Sequence, residues 1–119
     1  MKALPTLALV AAAALGLPVA PRVTADDTPP QVVEIVAKRF EFTPKEIHLQ
    51  KGQPVTLRLR SEDVTHGFFA RKLKIDAEIL PGKTTDVTIT PAEAGTTTVI
   101  CNHFCGSGHG NMKMKIVVE

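Results

Sequence analysis

Short runs of β-branched residues separated by turn residues are the feature that most constrains how this chain folds. Each run has about the length of a strand, and TLRLR and DVTIT alternate polar with apolar residues. The runs are VVEIVAKRFEF, EIHLQKG, VTLRLRS, TTDVTITP, TTTVI and MKMKIVVE. No stretch has a convincing helical period, and Lys51-Gly52, Pro81-Gly82 and Gly95 mark turns. The pattern predicts an all-β fold, a Greek-key β-sandwich with antiparallel strands.

The N-terminal segment has the features of an export signal. Lys2 precedes an apolar run, and Val23-Thr24-Ala25 fits the small-residue rule for signal-peptidase cleavage. The alternative is an uncleaved membrane anchor, but the apolar run is well short of the ~20 residues that span a bilayer. We predict a signal peptide over residues 1–25, a flexible leader over 26–31 and one domain over 32–119. The chain is therefore expected in the periplasm or another extracytoplasmic space.

The charge balance argues against nucleic acid or anionic lipid as a partner. The chain has 14 Lys and Arg residues and 12 Asp and Glu residues. The predicted signal peptide contains Lys2 and Arg22 and no acidic residue, so the remaining chain has a formal net charge of zero. The one basic cluster, Arg71, Lys72 and Lys74, is interpreted as a solvated strand edge.

His48 has no other potential ligand beside it in the sequence. It lies between Ile47 and Leu49, so on a strand its side chain faces away from theirs. We interpret it as a surface residue and not as a metal ligand.

The densest group of reactive side chains lies in one glycine-rich loop, CNHFCGSGHGNM, over residues 101–112. Its spacing is neither the C-x-x-C of thioredoxin-like redox sites nor the C-x-x-C-H of haem attachment. A disulfide between Cys101 and Cys105 would close a very short loop and leave His109 and Met112 unexplained. Zinc is bound mainly by cysteine, histidine and carboxylate ligands and not by a methionine thioether. Thiolate, imidazole and thioether together are the ligands of a copper site.

Two kinds of copper site remain open from the residues alone. A mononuclear blue-copper site needs two histidines, one cysteine and a weak axial methionine. His66, in a predicted turn within DVTHGFF, supplies the second histidine beside Cys105, His109 and Met112. That assignment gives Cys101 no role as a ligand. A second thiolate also allows a second copper, since two sulfurs can bridge two metal ions.

The order of these residues resembles a known family. His66 followed by C-x-x-x-C-x-x-x-H-x-x-M is similar to the dinuclear copper-A site of cytochrome c oxidase subunit II and of nitrous oxide reductase. The phrases HGF, ILPGKTTDVTIT and KIVVE resemble the subunit II domain of bacterial B-type haem-copper oxidases. The resemblance covers roughly residues 40–119 and implies a cupredoxin-like fold.

The resemblance also implies a set of ligands for two copper ions. Cys101 and Cys105 would bridge the two ions. His66 and Met112 would complete one copper, and His109 and the backbone carbonyl of His103 would complete the other.

The implied function is transfer of single electrons, without enzymatic activity of the domain by itself. The donor would be a c-type cytochrome or a small copper protein, and the acceptor a terminal oxidase or similar protein. The rival interpretations are a periplasmic copper carrier, a mononuclear cupredoxin and a disulfide-stabilised interaction domain. Subunit II normally carries one or two transmembrane helices, whereas this chain has a predicted signal peptide, so we expect no strong membrane association after cleavage.

Several other residues near the motif have expected roles. Family members often present an aromatic patch near the copper, and this chain offers Phe68, Phe69 and Phe104, at least one of which we expect in the core. Met114 is interpreted as a packing residue. The three alternating glycines of the loop should let it turn tightly; they are Gly106, Gly108 and Gly110.

Overall fold

The computed structural model describes residues 3, 16 and 29–119. The predicted signal peptide, apart from residues 3 and 16, and residues 26–28 of the predicted leader therefore fall outside the described residues. The first strand begins at Gln31, the last residue of that leader. The strands are β1 (Gln31–Lys38), β2 (Glu41–Thr43), β3 (Glu46–Leu49), β4 (Val55–Ser61), β5 (His66–Ala70), β6 (Ile75–Ile79), β7 (Thr84–Ile89), β8 (Gly95–Ile100) and β9 (Lys113–Val118). Within 29–119 the helical turns are two short 3-10 segments, Arg71–Leu73 and His109–Asn111. Neither these nor any other helix in the described residues is long and apolar enough to cross a membrane.

The strands form two sheets that face each other. One has four strands in the order β2-β1-β4-β7, and the other has five in the order β3-β9-β8-β5-β6. The predicted all-β sandwich is confirmed, but the expectation of antiparallel strands throughout is wrong. β1 pairs with β4, and β3 with β9, in parallel. Residue alternation reveals which face of a strand is buried but not which strand lies beside it, so the sequence pattern had no information on direction.

The core lies between the two sheets and is built from the inward faces of their strands. Phe42 of β2 and Phe68 of β5 are fully buried, and their rings meet edge to face with centroids 5.6 Å apart. Met114 of β9 is buried in the same cluster, which confirms its interpretation as a packing residue. The aromatic pair joins the two sheets directly.

His48 lies on the outer surface of the five-stranded sheet, as its alternation with Ile47 and Leu49 predicts. Both neighbours are buried, and the imidazole is exposed. Its Nδ1 is 2.9 Å from Glu119 Oε1, and its Nε2 is 3.2 Å from Glu46 Oε2. These two carboxylates raise the pKa of His48, with Glu119 as the larger influence.

Three local interpretations are corrected by the structure. The run VVEIVAKRFEF is two strands, because the chain turns after Lys38. Arg71 and Lys72 lie in a 3-10 turn that connects β5 to β6, and Lys74 ends that turn with a φ of 56°, so this basic cluster is not a strand edge. Strands β5 and β6 were not among the predicted runs.

Candidate metal centre

His66 is the first residue of β5 and its side chain is fully buried, so it lies on a strand and not in a turn as predicted. Its Nε2 lies 2.7 Å from Asp63 Oδ1. The other ring nitrogen, Nδ1, is buried and has no hydrogen-bond partner among residues 29–119. Buried polar atoms in proteins are almost always paired, so this nitrogen marks a position where a ligand is expected. A carboxylate that holds one imidazole nitrogen while the other faces a metal is the usual arrangement in metal sites.

Asp63 is held in place by its own hydrogen bonds. The backbone N–H groups of Arg39 and Val64 donate to its carboxylate at 2.7 and 2.6 Å. Burial opposes ionisation, but these two bonds and the His66 ring outweigh it and lower the pKa of Asp63 to about 2. The carboxylate is therefore charged at neutral pH and accepts a hydrogen bond from His66 Nε2–H, which leaves the lone pair of Nδ1 available to a metal.

The two thiols lie side by side beneath the surface. Cys101 Sγ and Cys105 Sγ are 3.8 Å apart, and both residues are buried. Together with His66 they form a group whose donor atoms all lie within 4.8 Å of one another. Burial, assisted by the neighbouring Cys101, raises the pKa of the Cys105 thiol to about 11. A bound cation would be needed to hold the Cys105 sulfur as a thiolate at neutral pH.

The remaining predicted donors surround these sulfurs. Cys105 Sγ is 3.7 Å from His109 Nδ1 and 3.8 Å from Met112 Sδ. The backbone oxygen of His103 is 3.1 Å from Cys101 Sγ, whereas its imidazole extends towards Glu78, 3.8 Å away. The structure thus brings all six predicted donor groups together around two sulfurs. Their chemistry, soft sulfur with imidazole, fits copper.

Gly67 allows β5 and the loop to approach each other closely. A Cβ at Gly67 would lie 2.7 Å from the backbone nitrogens of Asn102 and His103. The Gly67 N–H donates to Cys101 Sγ at 3.3 Å. Asn102 then donates through Nδ2 to Asp76 Oδ1 on β6 at 3.0 Å. Hydrogen bonds to both β5 and β6 therefore hold the start of the loop in place.

Phe40 supports the second half of the loop. A Cβ at Gly106 or Gly108 would come within 2.7 or 2.5 Å of its ring, and Gly106 has a φ of 141° that favours glycine. These two glycines therefore meet the expectation of a tight loop. Gly110 does not, because it has open space and no positive φ.

The candidate aromatic residues have three different environments. Phe68 is fully buried, which confirms that at least one of them belongs to the core. Phe69 is half-buried, and Phe104 is 75% exposed. The Phe104 ring lies 5.8 Å from the half-buried His109 ring, centroid to centroid. Phe104 is thus the exposed aromatic residue beside the donors.

Sequence reasoning missed Asp63, Arg39 and Phe40. Asp63 could have been found, because a carboxylate three residues before a candidate histidine ligand is a local pattern. No local pattern could identify Arg39 or Phe40, since the loop residues that they contact are more than 60 positions later in the chain.

Comparison with known proteins agrees with this geometry. The family model described as a cupredoxin-like domain matches residues 6–118. Cytochrome c oxidase subunit 2 of Thermus thermophilus is 37% identical over 87 residues, which are 73% of this chain and 64% of that protein. The chain therefore spans slightly less than two thirds of this relative.

Solved structures show the same fold. A chain of a haem-copper terminal oxidase dimer superposes with a TM-score of 0.69 at 29% identity, over 75% of this chain and 65% of that one. The periplasmic domain of cytochrome oxidase subunit II from Bradyrhizobium japonicum also has a TM-score of 0.69, over 75% of this chain and 83% of that one. At 16% identity this second likeness shows the fold alone.

The likeness to cytochrome c oxidase subunit II that the loop motif indicated is confirmed by the sequence relatives. Copper is the metal that such a relationship implies, and the donor set fits it. The chain therefore belongs to the cupredoxin-like domain family, and within that family it is similar to cytochrome c oxidase subunit 2.

Proposed function

We propose that this domain is an electron-transfer module with a dinuclear copper-A centre. The observation that carries the proposal is the pair of buried sulfurs, 3.8 Å apart, beside the unpartnered Nδ1 of His66. Cys101 and Cys105 would hold both ions in this proposal. His66 with Met112, and His109 with the His103 carbonyl, would complete the set.

Two features favour two ions over one. A mononuclear site uses a single thiolate, yet Cys101 and Cys105 are equally buried and both lie within 4.8 Å of the His66 donor nitrogen. Cys101 also has its own close oxygen, the His103 carbonyl at 3.1 Å. The second sulfur therefore lies beside another of the proposed donor groups, where a purely structural cysteine need not lie.

The chain's own residues prepare the site for redox chemistry. When bound, the copper pair supplies one-electron oxidation and reduction with the charge spread over two ions and two sulfurs. Asp63 orients the His66 ring, and the Gly67 N–H donates to the Cys101 sulfur and so holds it in position. The surrounding strands exclude water and restrain the donors, which limits rearrangement when the charge changes.

The proposed partners follow from the relatives and from the exposed rim of the site. A c-type cytochrome or a small copper protein donates the electron, and a terminal oxidase or a similar protein accepts it. The exposed Phe104 and the half-buried His109 beside it offer a route from the protein surface to the donors. We place the domain outside the cytoplasm, with residues 1–25 as signal peptide, 26–31 as leader and 32–119 as the copper domain.

A copper carrier is the rival function. A carrier exchanges its metal readily and needs accessible ligands. Here Cys101, Cys105 and Met112 are at most 4% exposed. That burial favours slow exchange and a resident metal.

The test is copper reconstitution of the reduced protein, with a Cys101→Ser variant beside it. Wild type should bind two coppers per chain, turn purple and show the electron-spin hyperfine pattern of one electron shared by two copper nuclei. Cys101→Ser should bind one copper and lose the purple spectrum, because His66, Cys105, His109 and Met112 remain as a mononuclear ligand set.

Met114→Leu is the matched control for loss of a buried sulfur outside the site and should retain both coppers. If wild type binds one copper with a one-nucleus spectrum, and Cys101→Ser shows the same, the protein is a mononuclear cupredoxin and has no dinuclear centre. Rapid loss of copper to a weak chelator would instead support the carrier.

A further inference from the structure

The turn between β1 and β2 contacts both segments that carry the donor groups. The side chain of Arg39 donates through Nε to the backbone carbonyl of Cys105 at 2.8 Å. The backbone N–H of the same residue donates to Asp63 Oδ2 at 2.7 Å. Asp63 in turn holds His66 through its other carboxylate oxygen. One residue outside the ligand motif therefore connects Cys105 with the support of His66.

The loop itself has few means of holding Cys105 in place. Its internal backbone bonds are short-range, from His109 N to Gly106 O, from Asn111 N to Gly108 O and from Met112 N to His109 O, each 3.2 Å long. One further bond of 3.3 Å, from Cys101 N to Met112 O, closes the loop base. Cys105 lies between this base and the 3-10 turn. A charged donor on its carbonyl therefore restrains the part of the loop that carries the second sulfur.

We propose that Arg39 is a positioning residue that aligns the Cys105 segment with His66. Its guanidinium holds the loop, and its backbone N–H holds Asp63. Arg39 therefore fixes the position of the Cys105 segment relative to the His66 segment. The proposal rests on the proposed copper function only for what the site binds. The alignment itself is a property of the protein without metal.

The two contacts of Arg39 can be separated by mutation. Changing the side chain removes the bond to the Cys105 carbonyl but keeps the backbone N–H that supports Asp63. Arg39→Met should therefore loosen the loop and leave His66 in place. Arg58→Met is the matched control: Arg58 is also an exposed arginine with a hydrogen-bonded side chain, but it pairs with Asp86 on the outer face of the four-stranded sheet.

The experiment measures amide hydrogen exchange in the metal-free, reduced protein and copper affinity in the loaded protein. In Arg39→Met, the amides of His109, Asn111 and Met112 should exchange about tenfold faster, and copper should bind about tenfold more weakly, the low end of the usual effect of outer supporting residues. Exchange in β5 should not change. Arg39→Lys, which keeps a charged donor, should recover part of both effects, and Arg58→Met should show neither.

Loop exchange and copper affinity equal to those of Arg58→Met would overturn the proposal. A uniform increase of exchange across the whole sandwich would also overturn it, since that is the result of a merely structural role. If Arg39→Met does not fold, Arg39→Lys against wild type decides by the same criterion, a change confined to the loop. A wild-type protein that binds fewer than two coppers contradicts the proposed function, while the exchange data still decide the role of Arg39.

Discussion

The two segments that carry the donor groups are held in place by different kinds of contact. His66 lies on β5, where its backbone pairs with Ile79 of β6, and its ring is oriented by Asp63, three residues earlier. The loop over residues 101–112 lies between β8 and β9 and depends on residues elsewhere in the chain, namely Arg39, Phe40, Gly67 and Asp76. The histidine is positioned by a strand and a local turn, whereas the loop is positioned by tertiary contacts. Damage to the side-chain contacts of Arg39 and Phe40 should therefore affect the loop and leave the strand donor unchanged.

Gly67, where the two segments touch, should give the largest effect. In Gly67→Ala the new methyl group would lie 2.0 Å from Asn102 Oδ1 and 2.7 Å from two backbone nitrogens. We expect the free energy of unfolding to fall by about 3 kcal/mol, at the upper end for overpacking, because backbone must move. Urea denaturation of the metal-free protein measures it. Gly110→Ala, in open space, is the control and should change stability by less than ~0.5 kcal/mol. Equal stability of the two variants would show that β5 and the loop are not closely packed at Gly67.

Asp63→Asn acts on the strand donor alone. It keeps the shape of the side chain but removes the negative charge that holds His66, so copper affinity should fall roughly tenfold to a hundredfold. Hydrogen exchange in the loop should remain as in wild type, the reverse of the pattern expected for Arg39→Met. Faster loop exchange in Asp63→Asn would show that the loop depends on Asp63 as well as on the Arg39 side chain.

The pH dependence of the metal-free protein gives a second measure of Asp63. Its pKa lies at about 2 in the folded protein, below the usual value of 3.8. A lowered folded-state pKa stabilises the protein above pH ~4, and that contribution is lost as the pH falls towards 2. Thermal unfolding of wild type should lose stability over this interval more steeply than Asp63→Asn. Parallel curves for the two proteins would contradict the assignment.

Gly108→Ala tests the support of the loop by Phe40. Its Cβ would lie 2.5 Å from the Phe40 ring, but the ring is a side chain that can shift, so we expect a loss of only about 1 kcal/mol. Combined with Phe40→Leu, which makes room, the change at position 108 should cost less than it does alone. Additive effects in this double-mutant cycle would show that the ring and the loop are independent.

The smallest effect is expected at His48 of β3, which pairs with Val117 at the end of β9 far from Met112. Glu119 and Glu46 raise its pKa above 6.5, so its stabilising contribution is fully present below pH ~6.5 and is lost as the pH rises through the higher folded-state value. His48→Gln should flatten the wild-type decline in thermal stability over that interval. The copper spectrum should be the same in both proteins. A spectral change would show that this exposed cluster is coupled to the loop.

The predicted and missed strands of the sandwich differ in a physical way. TLRLR and DVTIT show alternation because one face of each strand meets the core and the other meets solvent. β5 lacks that alternation: His66, Gly67 and Phe68 are all buried, since the ligand loop covers the outer face at Gly67. β6 alternates over IDAEI, but Asp, Ala and Glu are uncommon in strands. The low β-propensity of these residues prevented its recognition from the sequence.

The sequence by itself determined the donor chemistry and the burial of most strand faces. Sulfur, imidazole and thioether are covalent properties of the residues, and the alternation of side chains along a strand follows from backbone geometry. Only the tertiary structure decided which strands run parallel, that His66 Nδ1 is left without a partner, and that Arg39 and Phe40 support the loop. Arg39 meets Asp63 across 24 positions and Cys105 across 66. Contacts over such separations depend on how both sheets pack, which no local pattern contains.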